Sequence, residues 1–371
     1  MATSMSLPCI VFDYGDTTTA YGITDGEHRP YAADELRNKR SWPTSHGWIL
    51  CCDPTTLATF LLNPQSTCKI ALPPFTQSPP PVNSQCSLSH EPSTAAARLT
   101  VVIVEPPEST VIWYCHVDGN EISCSKSQGT AVTDKLASSS TSPRVNGNCT
   151  DCPTTEDRLS IDFGAAGSTP AWARHEYNIG GTNVRFFDGT RLFARRFVSD
   201  LTSCRGKFYY FHSPTEYGVV DFSSSPVPAF TTVTMKAVDI SDKAPPGETT
   251  ARASCYTIEI DGELYRTYVF YNGFDSNTIV DVGVYRMDFR RRKTIRVRSI
   301  GDRAIVAGLS FAGWCPAAAS GLRPGSIYWV SPFDNCLHVF EMGAKTKNLG
   351  EAYKGVEKPH CNSFWMISVH P

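Results

Sequence analysis

The stretch that decides the fold runs from Cys255 to Gly301 and begins Cys-Tyr-Thr-Ile-Glu-Ile-Asp-Gly-Glu-Leu-Tyr-Arg-Thr-Tyr-Val-Phe-Tyr. The alternation of apolar and polar residues from Tyr256 to Ile260 is typical of a half-buried strand. Asp261-Gly262 predicts a type I′ hairpin turn, because both central residues of that turn need positive φ angles. The aromatic and β-branched residues of Leu264 to Tyr271 favour a returning strand.

The remainder of the same stretch repeats this pattern. A polar loop at residues 272–277 ends the second strand, and further strands are predicted at Val282 to Phe289 and at Thr294 to Ile300. Four antiparallel strands in about 45 residues form a small sheet that is only marginally stable by itself. Repeated around an axis, such a sheet is one blade of a β-propeller.

Similar strand pairs recur along the whole chain. They begin near six positions, namely Cys9, Trp48, Thr100, Phe208, Thr257 and Ile327. About 320 residues remain when a polar insertion is left out. Six repeats in that length give units of about 50 residues each. The fold class predicted is therefore all-β, a propeller of about six four-stranded blades. Two packed β-sandwiches are the alternative architecture.

The expected domain organisation follows from this spacing. Residues 1–6 form a tail, residues 7–119 the first part of the propeller and residues 171–371 the remainder. Residues 120–170 are rich in Ser, Thr, Gly and Asp, so they are predicted to be a mostly disordered insertion that buries too little apolar area to fold. The final strand, Phe364 to Val369, is expected to pair with Leu7 to Phe12 and close the ring, which would hide the open edges. The best helical candidate, residues 32–39, is short.

Composition limits the classes of function. The chain has 371 residues, 41% of them hydrophobic, and a formal net charge of −2. Because the net charge is so small, the protein has no overall positive potential that would attract nucleic acid or an acidic membrane. No secretory leader or long apolar segment is recognised, so a cytoplasmic or nuclear location is expected. The 14 cysteines are predicted to be mostly buried free thiols, without a disulfide framework.

The residue types that carry catalysis or bind metals are sparse. Cys149-Thr-Asp-Cys152, with Cys124 upstream, has metal-like spacing but no second such pair, and it is interpreted as incidental. His116 and His338 lie in apolar strands and are interpreted as core histidines. Four aspartates at turns are interpreted as turn residues that bond their own backbone, namely Asp53, Asp118, Asp261 and Asp334. We therefore predict no catalytic, cofactor-binding or metal-binding residues and no enzymatic activity.

The densest positive charge is Arg290 to Lys293, followed by Arg296 and Arg298. One interpretation is a solvated turn whose charge protects a sheet edge. The other is a surface for an acidic partner or a phosphate backbone, with Arg296 and Arg298 on one face of a strand. No aromatic residues interleave with this run, which argues against nucleic acid.

Seven groups of motifs resemble a known family when taken in order. They are Trp48-Ile-Leu with Thr59-Phe-Leu-Leu-Asn-Pro64 and Ile70-Ala-Leu-Pro-Pro74, Val111-Ile-Trp-Tyr-Cys-His116, Arg205-Gly-Lys-Phe-Tyr209, Asp261-Gly-Glu-Leu-Tyr265, Val284-Tyr-Arg-Met-Asp-Phe289, Ile300-Gly-Asp-Arg-Ala304 and Gly321-Leu-Arg-Pro-Gly-Ser-Ile-Tyr-Trp329. This series resembles the DUF295 family of land plants, also called the KIB-type β-propeller domain, and the sequence is similar to its grass members. The resemblance covers nearly the whole chain outside residues 120–170.

The resemblance implies a function. In that family the propeller commonly follows an F-box, which docks onto the Skp1 adaptor of a ubiquitin ligase, and the propeller presents the protein to be ubiquitinated. Residues 1–6 are too few for an F-box, so we expect a non-enzymatic protein-interaction propeller without its own Skp1-docking segment. The alternatives are a ubiquitin-ligase substrate receptor whose F-box is missing from this sequence, and a propeller enzyme. The expected partner is an unidentified protein, with no nucleic acid, membrane or cofactor.

Overall fold

The computed structural model describes residues 6–14, 17–31, 35–92, 98–119, 122, 124–126, 170–185, 189–238, 252–272, 275–342, 347–351 and 362–368. These residues contain 28 strands in seven sheets and no helix. Six of the sheets are the blades of a β-propeller, and the seventh is a separate two-stranded ribbon. The all-β, six-bladed prediction is confirmed, and the short helical candidate at 32–39 is turn where it is described.

Blade 1 joins the two ends of the described chain. Its strands are β1 (Cys9–Asp13), β2 (Thr18–Gly22), β3 (His28–Pro30) and β28 (Asn362–Met366), in the order β28-β1-β2-β3. In the antiparallel pair of β1 and β28, Cys9 lies opposite Met366. The predicted closure by the last strand is confirmed.

Blades 2 and 3 follow. Blade 2 consists of β4 (Arg40–Pro43), β5 (Ile49–Cys52), β6 (Thr59–Leu62), β7 (Cys68–Leu72) and β11 (Cys124–Lys126). Blade 3 consists of β8 (Gln85–Leu88), β9 (Leu99–Val104), β10 (Val111–Val117) and β12 (Ala173–Glu176). Within the predicted insertion of residues 120–170, the short strand β11 pairs through its backbone with the edge of β7 and so adds a fifth strand to blade 2. Residues 127–169, the rest of that prediction, lie outside the described residues.

Blades 4 and 5 have four strands each. Blade 4 consists of β15 (Thr202–Cys204), β16 (Lys207–Ser213), β17 (Glu216–Asp221) and β18 (Ala229–Thr234). Blade 5 consists of β19 (Arg252–Ile260), β20 (Glu263–Asn272), β21 (Asp275–Asp288) and β22 (Lys293–Arg296). Asp261 and Gly262 have φ angles of 52° and 77°, as the predicted type I′ turn requires. The predicted fourth strand ends early, at Arg296.

Blade 6 departs from the regular order. Its strands are β23 (Arg303–Gly308), β24 (Phe311–Pro316), β25 (Ser326–Val330), β26 (Cys336–Glu341) and β27 (Lys347–Glu351), in the order β24-β23-β25-β26-β27. The pair of β23 and β25 is parallel. The sequence predicted one continuous strand from Ala304 to Phe311, but Leu309 and Ser310 form a turn, both with φ near 57°. Leu309 is not a typical turn former, and one serine within an apolar run is a weak turn signal, so no turn was predicted here.

The ribbon lies between blades 3 and 4 in the chain. It consists of β13 (Gly181–Arg185) and β14 (Arg191–Arg195), which pair only with each other among the described strands. Strands were predicted at Val184 to Phe187 and at Leu192 to Val198, but the sequence did not show that they stand apart from the blades.

The apolar core lies between successive blades. Each pair of neighbouring blades shares a buried cluster, including the pair of blade 6 and blade 1. Trp42 of blade 2 and Trp113 of blade 3 belong to one of these clusters, and both are almost completely buried. Full burial of one large apolar side chain stabilises a fold by about 1.5–3 kcal/mol, so the ring holds together through its blade faces.

Most of the cysteines contribute to these faces. Nine described cysteines are free, and seven of the nine are buried. Burial raises the pKa of Cys9 and Cys51 to about 12, so both thiols stay protonated and act as apolar groups. Cys68 is an exception to the predicted free thiols, because it takes part in a disulfide bond.

Candidate functional site

The innermost strands of the six blades surround the channel, and residues of these strands and of the turns beside them enclose a cavity of about 270 Å³ at one of its ends. We call this end the channel mouth. Its polar lining comes from all six blades and consists of Ser41, Ser45, Asn83, Ser84, Gln85, Asp200, Thr202, Thr257, Ser310 and Ser363. Hydroxyl and amide groups therefore dominate the wall.

Four of these inner strands were not predicted from the sequence. The region of β4 was interpreted as an irregular connector, and no strand was placed at β8, β15 or β24. In four of the six blades the predicted strand pair begins instead at the second strand from the channel, and only in blade 5 does it begin at the inner strand, β19. The inner strands are short and carry small polar residues, as in Gln-Cys-Ser-Leu of β8 and Thr-Ser-Cys of β15. Because one side of each strand faces a polar channel, the apolar pattern that identifies a strand is weak there.

Three residues at the mouth adopt backbone conformations that are uncommon for residues with a side chain. Asp200, Leu309 and Ser310 have φ angles of 53°, 57° and 57°. Such left-handed residues cost on the order of 1 kcal/mol each and concentrate at binding sites. Asp200 lies two residues before the inner strand of blade 4 and Ser310 directly before that of blade 6, so the turns hold both residues at the rim of the cavity.

Hydrogen bonds link blades 3, 4 and 5 around the mouth. Gln85 Oε1 accepts a bond of 2.8 Å from the Leu201 amide. Thr202 Oγ1 donates to the Thr257 carbonyl over 3.0 Å. The side chains of Gln85 and Thr202 both lie on inner strands, so these two hydrogen bonds fix the wall of the mouth before any ligand binds.

Asp200 is the only carboxylate among the described residues that line the cavity. Its Oδ1 accepts the Thr257 amide at 3.1 Å, and its Oδ2 accepts the Thr257 hydroxyl. Arg266 Nη2 lies 3.7 Å from Oδ2. Burial raises the pKa of Asp200, and the positive charge of Arg266 opposes that rise.

Arg266 itself lies between blades 4 and 5, and its side chain is 0% exposed. The guanidinium carbon sits 4.0 Å from the centre of the Phe211 ring and 5.3 Å from that of Tyr217, both in blade 4. Nη2 also donates to the sulfur of Cys255 over 2.6 Å. The arginine thus connects the wall of the mouth to the aromatic face of the neighbouring blade.

His46 lies in the turn after β4, next to Ser45 of the cavity lining. Its Nε2 is 3.1 Å from the hydroxyl of Ser203 on blade 4, which does not neighbour blade 2 in the ring. Burial lowers the pKa of His46 to about 4, so the imidazole is neutral at pH 7. This contact spans the channel.

Blade 5 extends beyond the other blades at the mouth. Strands β19, β20 and β21 have 9, 10 and 14 residues, whereas every other described strand has seven or fewer. Residues 252–256 precede Thr257, so the added length lies on the side where the cavity opens. Tyr268, Phe270 and Tyr285 pack together in this extension, with Phe270 fully buried. The mouth therefore has one tall wall.

The histidines predicted to be structural have protein partners. His116 Nδ1 is 2.9 Å from Thr100 Oγ1, and its Nε2 is 3.2 Å from the Pro226 carbonyl. His338 Nε2 is 2.9 Å from Asp334 Oδ2. Neither histidine lies among the residues that line the mouth.

The four predicted turn aspartates lie apart from one another and from the cavity. Asp53 accepts the amides of Thr55 and Thr56, as an Asx turn does. The others bond to nearby groups, with Asp334 accepting the Cys336 amide, Asp261 pairing with Arg303 and Asp118 approaching Arg98. No acid–base pair forms from this set.

No group of three potential metal ligands occurs within the part of the chain that the structure describes. The predicted spacing Cys149 to Cys152 lies outside the described residues, and the side chain of Cys124 does too. The prediction that these cysteines are incidental stays a prediction.

The arginine-rich run forms the turn between β21 and β22. Arg290 to Lys293 are exposed there, and Arg296 pairs with Asp281 at 3.1 Å. Arg298 lies beyond the end of β22, so the predicted alternation of Arg296 and Arg298 on one strand face is wrong. This arrangement agrees with the solvated turn.

The sequence matches the family described as the KIB1-4 beta-propeller over residues 20–354. The chain belongs to the KIB1-4 β-propeller family. This match confirms the resemblance that the motif series indicated. No curated protein matches the sequence significantly.

Solved structures similar to this KIB1-4 propeller are distant. Apo AztD from Citrobacter koseri has 10% identity and a TM-score of 0.31, covering 94% of this chain and 96% of AztD. A chain of the mitotic checkpoint complex has 9% identity and a TM-score of 0.20, covering 84% of this chain and 88% of its own length. Neither likeness bears on function. Among the described residues, no helix is long and apolar enough to span a membrane.

Proposed function

We propose that this KIB1-4 propeller is a non-enzymatic protein-interaction module that receives a polar segment of a protein partner at the channel mouth. The observation that carries the proposal is the lining of the cavity, where ten polar side chains include a single carboxylate, Asp200. General acid–base catalysis relies on titratable side chains within hydrogen-bond reach of the reacting atoms, and Asp200 is the one such group in the described lining, where hydroxyls and amides predominate. These groups suit recognition by hydrogen bonds.

The size of the cavity supports a protein ligand. About 270 Å³ lies below the usual range of about 300–1,000 Å³ for sites that enclose small molecules. It accommodates one or two side chains at the tip of a partner loop. The exposed side chains of Asn83 and Ser310 stand at the rim, and the tall wall of blade 5 adds contact area on one side.

Membership of the family supports a connection to ubiquitination. The motif series resembles the substrate-recognition domains of plant F-box proteins, so the partner of this chain is a protein that full-length relatives also bind. The chain then either competes with those relatives for this partner protein or serves as an adaptor for it. A binding experiment with purified Skp1 and the full chain tests the alternative of a complete ligase subunit. Stable binding would show that the chain contains a Skp1-docking segment without a recognisable F-box motif.

Site-specific photo-crosslinking tests the position of the partner. A photoreactive benzoylphenylalanine is placed at Asn83 or at Ser310, and the matched control position is Thr232, which is exposed on the outer strand of blade 4. The full chain is irradiated in cells that express it, and crosslinked proteins are identified by mass spectrometry. We expect the same protein from both rim positions and not from the control.

Substitutions at the same positions give the quantitative test. Asn83→Trp and Ser310→Trp should weaken binding of the identified partner at least about tenfold, because a buried anchor of an interface accounts for that much affinity. Thr232→Trp should leave it unchanged. Equal crosslinking from all three positions, or full affinity in both rim variants, would overturn the assignment to the mouth. Turnover of a small molecule that Asp200→Asn abolishes would favour an enzyme instead.

A further inference from the structure

The ribbon of β13 and β14 exposes large apolar side chains that no blade covers. Leu192 is 56% exposed and Phe193 66% exposed, although they are consecutive residues of one strand. Successive side chains of a strand point to opposite faces, so both faces of the ribbon are open here. Phe197, just beyond β14, is 38% exposed as well. Adjacent exposed apolar residues of this kind mark interaction sites.

One face of β14 carries a regular chemical pattern. Arg191, Phe193 and Arg195 alternate along the strand and therefore share a face, with about 7 Å between successive side chains. Arg191 and Arg195 are exposed, like Phe193 between them. The face thus presents a positive charge, an aromatic ring and a second positive charge in line. In the backbone register of the ribbon, Arg185 lies opposite Arg191.

The ribbon is held in position before any partner binds. A side-chain carbon at Gly181 would lie 2.2 Å from Cζ of Phe193, so the ring lies directly against the glycine backbone of the neighbouring strand. At the base of the ribbon, Arg195 Nη2 donates to the Tyr177 carbonyl over 3.3 Å, and Arg196 pairs with Glu216 of blade 4 at 2.9 Å. Such preorganisation lowers the entropy lost on binding.

The outer edge of β14 is open for a further strand. Among the described strands, β14 pairs only with β13. An extended peptide that adds to this edge places its side chains directly opposite those of β14, about 5 Å away on the same face. Opposite charges across the two strands then stabilise the pair.

We propose that β14 binds, as an added strand, an extended acidic segment of another protein in which two carboxylates flank an aromatic residue with one residue between each. The carboxylates pair with Arg191 and Arg195, and the aromatic residue packs on Phe193. This surface is distinct from the channel mouth, so its test is independent of the proposed function.

The probe is a fluorescein-labelled peptide with the central sequence Glu-Thr-Phe-Thr-Glu, titrated with the full chain at physiological salt and followed by fluorescence anisotropy. We expect saturable binding. Phe193→Ser should weaken it at least about tenfold. The double variant Arg191→Glu with Arg195→Glu should lose the acidic peptide and bind the charge-swapped peptide, Lys-Thr-Phe-Thr-Lys, in its place.

The matched control is Arg290→Glu with Arg298→Glu. It changes the net charge by the same amount at exposed positions of blade 5, and it should bind both peptides as the unmodified chain does. Both positions lie outside the ribbon, so this variant changes the net charge without changing the charges on β14. Circular dichroism of each variant establishes that the fold is retained.

Three outcomes would overturn the proposal. One is no saturable binding of the acidic peptide by the unmodified chain. Another is equal affinity of the unmodified chain and Phe193→Ser. The third is co-sedimentation with phosphatidylserine vesicles that Phe193→Ser abolishes while the peptide fails to bind, which would assign the ribbon to a membrane surface.

Discussion

Blade 5 and the ribbon are built from the same residue types but bury them differently. Both are β-hairpin structures rich in arginine and aromatic residues. Phe270 of blade 5 is 0% exposed, whereas Phe193 of the ribbon is 66% exposed. The side chain of Arg266 is completely buried, whereas Arg191 is exposed. The difference arises from the neighbours, because blade 5 has a blade on either side and the ribbon has none. An aromatic, arginine-rich strand therefore serves as core in one place and as surface in the other.

The arginines provide the largest expected contrast. Arg266→Ala removes a fully buried charge from beside Asp200, whose side chain is 21% exposed, so we expect a loss of about 3 kcal/mol of unfolding free energy, the lower end of the range for a buried pair. Arg191→Ala should change the unfolding free energy by less than about 0.5 kcal/mol. Urea unfolding followed by tryptophan fluorescence measures both. Equal midpoints for the two variants would show that the buried pair does not stabilise the ring.

The phenylalanines give the second contrast. Phe270→Ala leaves a cavity in the extension of blade 5 and should lower the unfolding free energy by about 3–4 kcal/mol. Phe193→Ala removes a ring that is mostly in water, and the expected loss is below about 1 kcal/mol. The same unfolding assay applies. A loss of several kcal/mol for Phe193→Ala would mean that the ribbon is packed against the rest of the protein.

Two glycines covered by aromatic rings sharpen the comparison. A side-chain carbon at Gly218 would lie 1.8 Å from the buried ring of Tyr210 in blade 4, and one at Gly181 would lie 2.2 Å from Phe193. Tyr210 has no space to move, so Gly218→Ala should cost about 1–3 kcal/mol. Phe193 can swing into solvent, and the remaining close contact at Gly181 is the Ala194 carbonyl oxygen at 2.8 Å, which a ribbon that no blade covers can relieve by a small backbone shift, so Gly181→Ala should cost less. Thermal unfolding of both variants checks the order, and the reverse order would contradict it.

Lowering the pH should reduce the stability of the propeller interior, whereas the ribbon should not respond to pH. Burial lowers the pKa of His46 to about 4, below its ordinary value near 6.5. The unfolded chain therefore binds this proton more readily between pH 6.5 and 4, and stability falls as the pH falls through that window. Between pH 7 and pH 5 the expected loss is about 1–2 kcal/mol, discounted for the partial exposure of His46.

The control for this effect is His46→Asn, which cannot titrate. The difference in urea midpoint between pH 7 and pH 5 should be smaller in the variant than in the unmodified chain. The arginines of the ribbon stay charged throughout this range, so the ribbon itself contributes no such dependence. An unchanged pH dependence in His46→Asn would assign the effect to other groups.

The middle strands of the blades were predictable, whereas four of the six inner strands were not. Residues Leu99 to Val104 and Val111 to Val117 pack against two neighbouring blades, so their sequences are nearly continuous in apolar residues. The inner strand β15 is only Thr-Ser-Cys, because it faces the channel. The candidate site consists of these inner residues, and for that reason no motif pointed to Asp200 or Ser310.

The sequence alone determined the all-β class, the number of blades and the joining of the last strand to the first, because each depends on local apolar periodicity and on turn residues such as Asp261-Gly262. The tertiary structure decided which residues meet at the channel mouth and which hairpin remains uncovered. Those features depend on contacts between residues far apart in the chain, such as Arg266 with Phe211. The local sequence pattern of a strand does not predict which distant residues will pack against that strand.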